Sequence, residues 1–217
     1  MNKEWSEQNK RMQVLNKRAE TFDQGKDALF GLRNDLMDTL LSYKEELSRE
    51  DFDAMPFINA DGYHSKNIAY SIWHIFRIED IVAHTLINGD DEVLFAGSYL
   101  NRIKSPVITT GNELIREQIS DFTKQLDIDE LYLYAADVKK STEEIIRNLT
   151  YSDLKTKVSC ERRNELISLG VVSTDENAFW LIDYWCKKDV RGLIQMPFSR
   201  HWIMHIEACQ RIKNKLK

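Results

Sequence analysis

Helix breakers are scarce in this sequence, and that constrains its fold more than any other feature. Eight Gly and three Pro are spread over 217 residues, so long stretches carry nothing that interrupts a helical hydrogen-bond ladder. An all-α fold is the expectation. Residues 4–22 are mixed in charge, with Trp5, Met12, Leu15 and Phe22 as apolar points, and read as a short leading helix. In residues 26–47, Leu29, Leu32, Leu36, Leu40 and Leu47 recur at steps that build one buried helix face. Residues 48–66 read as a loop, with Ser48 placed to cap a short acidic turn and Asp61-Gly62 as turn formers.

Asn67 is placed to cap the most apolar helix, residues 68–87, which Asn88-Gly89 terminates in a left-handed cap. Residues 89–127 are less regular, with a short helix expected near NELIREQISDFTKQL. A long helix over residues 130–149 follows, with Leu131, Tyr134, Ala135, Val138, Ile145 and Leu149 on one face. Residues 151–197 centre on FWLIDYW, are long for a plain loop, and are expected to be partly helical. Pro197 precedes a final helix over residues 198–216. Four long helices with elaborated connections predict a four-helix bundle in one domain spanning 1–217, with residues 1–25 as an N-terminal extension and 26–216 as the bundle.

Composition narrows the function. The formal charge is −5, from 30 basic and 35 acidic residues, without the basic surplus or stripe of a nucleic-acid binder. Cys160, Cys186 and Cys209 are odd in number and lack CxxC spacing, which favours a reducing, cytoplasmic setting over a disulfide framework. No apolar run approaches the roughly 20 residues of a membrane span, and the polar N-terminus lacks a signal core. GxxxxGK[ST], GxGxxG, GxSxG, HExxH and helical ExxH are all absent, which argues against nucleotide-loop enzymes, serine hydrolases, common metalloproteases and ferritin-like di-iron bundles.

The chemistry-bearing pattern lies in the last helix, FSRHWIMHIEACQRIKNKL. At roughly 100° per residue, Phe198, Trp202, Cys209, Ile212 and Leu216 share one face, and His201 and His205 fall within it. Arg200, Glu207, Arg211 and Asn214 fall opposite. One such histidine is ordinarily a core residue bonded to a hydroxyl or carbonyl. Two side by side on a buried face need partners for four ring nitrogens, and one metal ion satisfies a nitrogen of each. His74, at the edge of the inward arc of residues 68–87, offers a third imidazole from a different helix. His84, beside Arg77 and Asp80 on the other side of that projection, reads as solvated, and nothing selects His64. Three imidazoles with no thiolate or carboxylate leave coordination positions open, as catalytic rather than structural sites do. Zinc, nickel, iron and manganese all suit such ligands. Glu79 projects into the apolar arc, either as an acid/base near the metal or as half of an internal salt bridge. Cys209, one turn beyond His205, reads as a small core residue.

SIWHIFRIED in the second long helix, paired with RHWIMHIEACQ in the last, resembles the DinB-like (YfiT-like) superfamily over roughly residues 26–216. The specific part is the WHxxRxED string and the HxxxH pair. Where many members have a Gly soon after the second His of the pair, this chain has Ile206-Glu207-Ala208. The resemblance implies a four-helix bundle with a crossover connection and a metal held by three histidines, here His74, His201 and His205. It also implies metal-assisted chemistry on small molecules, typically transfer to a low-molecular-weight thiol such as bacillithiol or mycothiol, and a homodimer. On that reading the chain is a thiol S-transferase, with Arg162 or Arg163 available to hold an acidic thiol cofactor. A metal-dependent hydrolase using Glu79 as base, and a non-enzymatic metal-stabilised binding protein, are the other expectations.

Overall fold

The computed structural model describes residues 2–217, and among these the chain is helical with no strand. The leading helix α1 (Lys3–Leu15) begins at Asn2, whose side chain accepts from the backbone N–H groups of Glu4 and Trp5. Helix α2 (Phe22–Glu46) starts four residues before the expected position and buries Leu29, Leu32, Leu36 and Leu40 as the periodicity predicts. A one-turn helix, Arg49–Asp53, forms in the expected loop because Ser48 and Asp51 build a reciprocal capping box. Helix α3 (Ile68–Asp80) is capped by Asn67, which accepts from Tyr70 N at 2.8 Å. It continues as a π-helical segment, Ile81–Asn88, and ends at Gly89 with φ +79°, a left-handed angle that only Gly adopts without cost.

The irregular stretch after Gly89 holds three short helices, Val93–Ala96, Tyr99–Arg102 and Glu117–Thr123. Helix α4 (Ile128–Asn148) follows. The 151–197 stretch is largely helical, as expected, comprising α5 (Cys160–Leu169), α6 (Glu176–Cys186) and α7 (Val190–Gln195). A π-helical turn, Met196–Arg200, leads into α8 (His201–Leu216). The long helices α2, α3, α4 and α8 pack side by side in a bundle-like array. One apolar core, with Trp73, Tyr134 and Trp202 at its centre, fills the space among them. A second, built on Ile78, Val82, Leu86 and Trp185, joins the far end of α3 to α5, α6 and α7. No helix among the described residues is long and apolar enough to cross a membrane.

The sequence reading of α3 needs correction. A helix with one solvated face was expected, yet every residue from Ile68 to Leu86 is buried. Arg77, Asp80 and His84, expected in solvent, are sealed beneath the segment that follows Gly89. Arg77 pairs with Glu92 at 2.6 Å. Asp80 accepts from Val93 N, Leu94 N and the Tyr134 hydroxyl at 2.8–2.9 Å. His84 binds Asp90 through Nδ1 at 2.7 Å and Ser141 through Nε2 at 3.1 Å. This Ser–His–Asp chain has the spacing of a hydrolase relay. Ser141, however, lies inside α4, whose backbone N–H groups are consumed by the helical ladder. No backbone donors remain there for a developing oxyanion, so the chain tethers the π-helical continuation of α3 to α4.

Candidate metal centre

The face of α3 formed by Tyr70, Trp73, His74 and Arg77 follows i, i+3, i+4, i+7 spacing. Each of these side chains takes one carbonyl of a single non-helical stretch. Arg77 Nε donates to Ile108 O at 2.7 Å and Trp73 Nε1 to Thr109 O at 3.1 Å. His74 Nδ1 meets Thr110 O at 2.7 Å, and the Tyr70 hydroxyl donates to Gly111 O at 2.9 Å. Gly111 has φ +77°, and a Cβ there would stand 3.1 Å from the Tyr70 ring. Four consecutive carbonyls are thus held by four donors. Because a carbonyl only accepts, Nδ1 of His74 carries the proton and its Nε2 lone pair is left for a ligand.

His201 and His205 stand on successive turns of α8, with ring centroids 4.5 Å apart. The His74 ring lies 5.0 Å from His201 and 4.7 Å from His205. One nitrogen of each of the three rings lies within 4.8 Å of the other two. Nitrogens sharing an ion at about 2.1 Å can be no more than about 4.2 Å apart, so modest ring rotations complete the set. Burial drives all three imidazoles toward neutrality. His74 is lowered to about 4 despite its bond to Thr110, and His201 and His205 are held well below the usual histidine range. Neutral imidazole is the form a metal requires.

The Nδ1 atoms of His201 and His205 are buried without a hydrogen-bond partner. An unsatisfied buried polar atom costs about 1–3 kcal/mol, and each ring has one nitrogen placed so that an ion at the centre could bind it. Three imidazoles with no carboxylate or thiolate suit zinc, nickel, iron or manganese. The rings open onto a cavity of about 550 Å³. Its walls come from α3, α6, α8 and the short turn Gly62–Ser65. Tyr63 closes one side, 5.5 Å from the His205 ring.

The other sequence-selected residues lie elsewhere. Glu79 is wholly buried in an ion pair. Its oxygens accept from Arg33 at 2.7 and 2.8 Å and from Trp202 Nε1 at 2.8 Å. The internal salt bridge, and not the acid/base, is the role its surroundings give it. Arg162 pairs with Glu165 at 2.7 Å and packs on Gly89, while Arg163 pairs with Asp183 at 3.1 Å. Neither lines the cavity. Cys209 is a core residue whose thiol burial pushes up to about 12. His64, which nothing in the sequence singled out, bonds Arg211 at 2.9 Å and lies against Tyr63, the two rings tilted by 40°.

Two residues of consequence escaped the sequence reading. Arg33 is the buried cation that clamps Glu79. Lys66 is the one charged residue among the described lining of the cavity. A signal for Lys66 existed in its position just before the Asn67 cap of the helix that carries His74. Compared with protein-family models and with curated proteins, the sequence matches none. The fold and the site together define an all-helical protein with a buried three-histidine group suited to a divalent cation.

Proposed function

We propose that this chain is a four-helix bundle of the DinB-like (YfiT-like) type that uses a divalent ion on His74, His201 and His205 for small-molecule chemistry, with transfer to or from a thiol as its reaction. The observation that carries this reading is the mouth of the histidine group. Three neutral imidazoles face a cavity of about 550 Å³ instead of a fourth protein ligand, which is the arrangement of reactive metal sites and not of structural ones. A divalent ion there would supply Lewis acidity, holding a thiol as its thiolate. Thr110 O would keep His74 in the right tautomer, and the Arg33–Glu79–Trp202 cluster would hold α2, α3 and α8 in register beside the ligands.

Hydrolysis draws less support. It needs a general base near a bound water, whereas Glu79 is committed to Arg33 and no carboxylate appears among the described lining of the cavity. The same reading carries a cytoplasmic setting and a homodimer, the latter measurable by sedimentation. The deciding experiment combines elemental analysis with a thiol-conjugation assay over a panel of electrophiles. The wild type should hold one ion per chain and conjugate. His74→Ala should lose both properties. A full complement of metal with no turnover on any panel would leave a metal-stabilised binding protein, and equal conjugation by His74→Ala would remove the metal from the chemistry.

A further inference from the structure

The cavity is chemically asymmetric, and the asymmetry describes what it takes. At one end stand the three histidines. Away from them the wall is aromatic. Trp180, Tyr184 and Trp185 project from α6, the Trp180 and Tyr184 rings meeting edge to face at 5.6 Å. Trp180 is 51% exposed, so its indole face is open to a ligand lying along this wall. Between these ends lies Lys66. Its ammonium sits 4.8 Å from the centre of the Tyr70 ring, which stacks on His74 with 5.4 Å between centroids and 14° between planes. One N–H of the ammonium is used on Leu114 O at 2.9 Å. No carboxylate pairs with it among the described residues, Glu113 acting on it only at longer range.

A partly buried ammonium without an acidic partner, in a cavity with no carboxylate among its described lining, is an unmet demand for an anion. We infer that the cavity binds a small organic acid, its carboxylate on Lys66 and its aromatic or apolar body along the α6 wall. Lys66 lies one residue before the cap of α3, two helical turns from His74. An acid anchored there therefore has its other functional groups within reach of the histidine end. The inference uses the proposed function only to say which end reacts. Its own content, an anion on Lys66, can be tested without the metal.

The probes are 3-phenylpropanoate and its neutral isostere 3-phenylpropanamide, with binding followed by calorimetry. The metal-free protein is the informative form, because a divalent ion also attracts carboxylates. The acid should bind about tenfold more tightly than the amide, the worth of one charge-assisted hydrogen bond. Lys66→Met should erase that preference, and Lys66→Arg should keep it. Trp180→Ala should weaken acid and amide by the same factor. Equal binding of the two probes, no binding of either, or a preference that survives Lys66→Met would overturn the inference. Failure of zinc to bind in parallel titrations would instead defeat the metal reading, with the acid preference of the metal-free protein intact.

Discussion

Two polar clusters lie in the interior of this protein, little more than a helical turn apart on α3, and they are built on opposite plans. Around Glu79 each side-chain nitrogen and oxygen of the Arg33–Glu79 pair has a partner. Arg33 donates from Nε to Glu143 at 3.2 Å, from Nη1 to Glu79 and to Phe198 O, and from Nη2 to Glu79, with its guanidinium 4.5 Å from the Trp202 ring. Around His74, three neutral rings crowd together, two of them with an orphaned nitrogen, beside open space. Equal burial therefore does not mean equal purpose. A cluster whose donors and acceptors are all answered from within the chain is part of the frame. One that is left short of a partner, at a cavity, is a place for something else.

The sharpest way to break this contrast is to damage the frame alone. Glu79→Ala leaves the Arg33 charge buried with only Glu143 to answer it. It should cost about 3–5 kcal/mol in urea unfolding, by the same amount with and without zinc. A loss that appears only with metal present would make Glu79 part of the site.

A second test is acidity. The unfolded histidines titrate near 6.5, whereas His74 in the folded metal-free protein is lowered to about 4. The unfolded chain takes up the proton first, so the contribution of His74 is full above about pH 6.5 and declines as pH falls, the decline being complete near pH 4. His74 alone should account for about 3 kcal/mol of this decline. His74→Gln should flatten the profile, and a flat wild-type profile would mean that the rings are not neutral by burial.

The smallest effect concerns zinc. At a free concentration a hundredfold above its dissociation constant, zinc should raise the wild-type unfolding free energy by about 2.7 kcal/mol. In His201→Ala that gain should vanish. A gain retained there would put the ion elsewhere in the protein.

The histidine group was legible because the positions of its members follow local rules. The four-residue step of His201 and His205 sets them on one side of any helix, and the apolar residues around them say that this side is inward. Caps at Asn67, Gly89 and Ser48 were legible for the same reason. His84, Arg77 and Asp80 were misplaced because a helical projection assigns polar residues to water. It has no knowledge that residues 90–111 return to cover that side and supply Glu92, Asp90 and a run of carbonyls as partners. Glu79 stayed ambiguous until Arg33, 46 positions away in the chain, came into contact with it. Lys66 shows the same dependence, since its role follows from which carboxylates are missing around it.

By itself, then, the order of residues determined the long helices, the caps at Asn67 and Gly89, and the angular position of each imidazole on its own helix, because backbone hydrogen bonding and side-chain periodicity act over a few residues. Only the packing decided that imidazoles from α3 and α8 come together, that a buried salt bridge joins α2 to α3, and that a lysine and an aromatic wall complete the cavity. Those outcomes depend on distances between segments remote in the chain. They are set by burial and by the pairing of polar groups summed over the whole molecule, which no local pattern records.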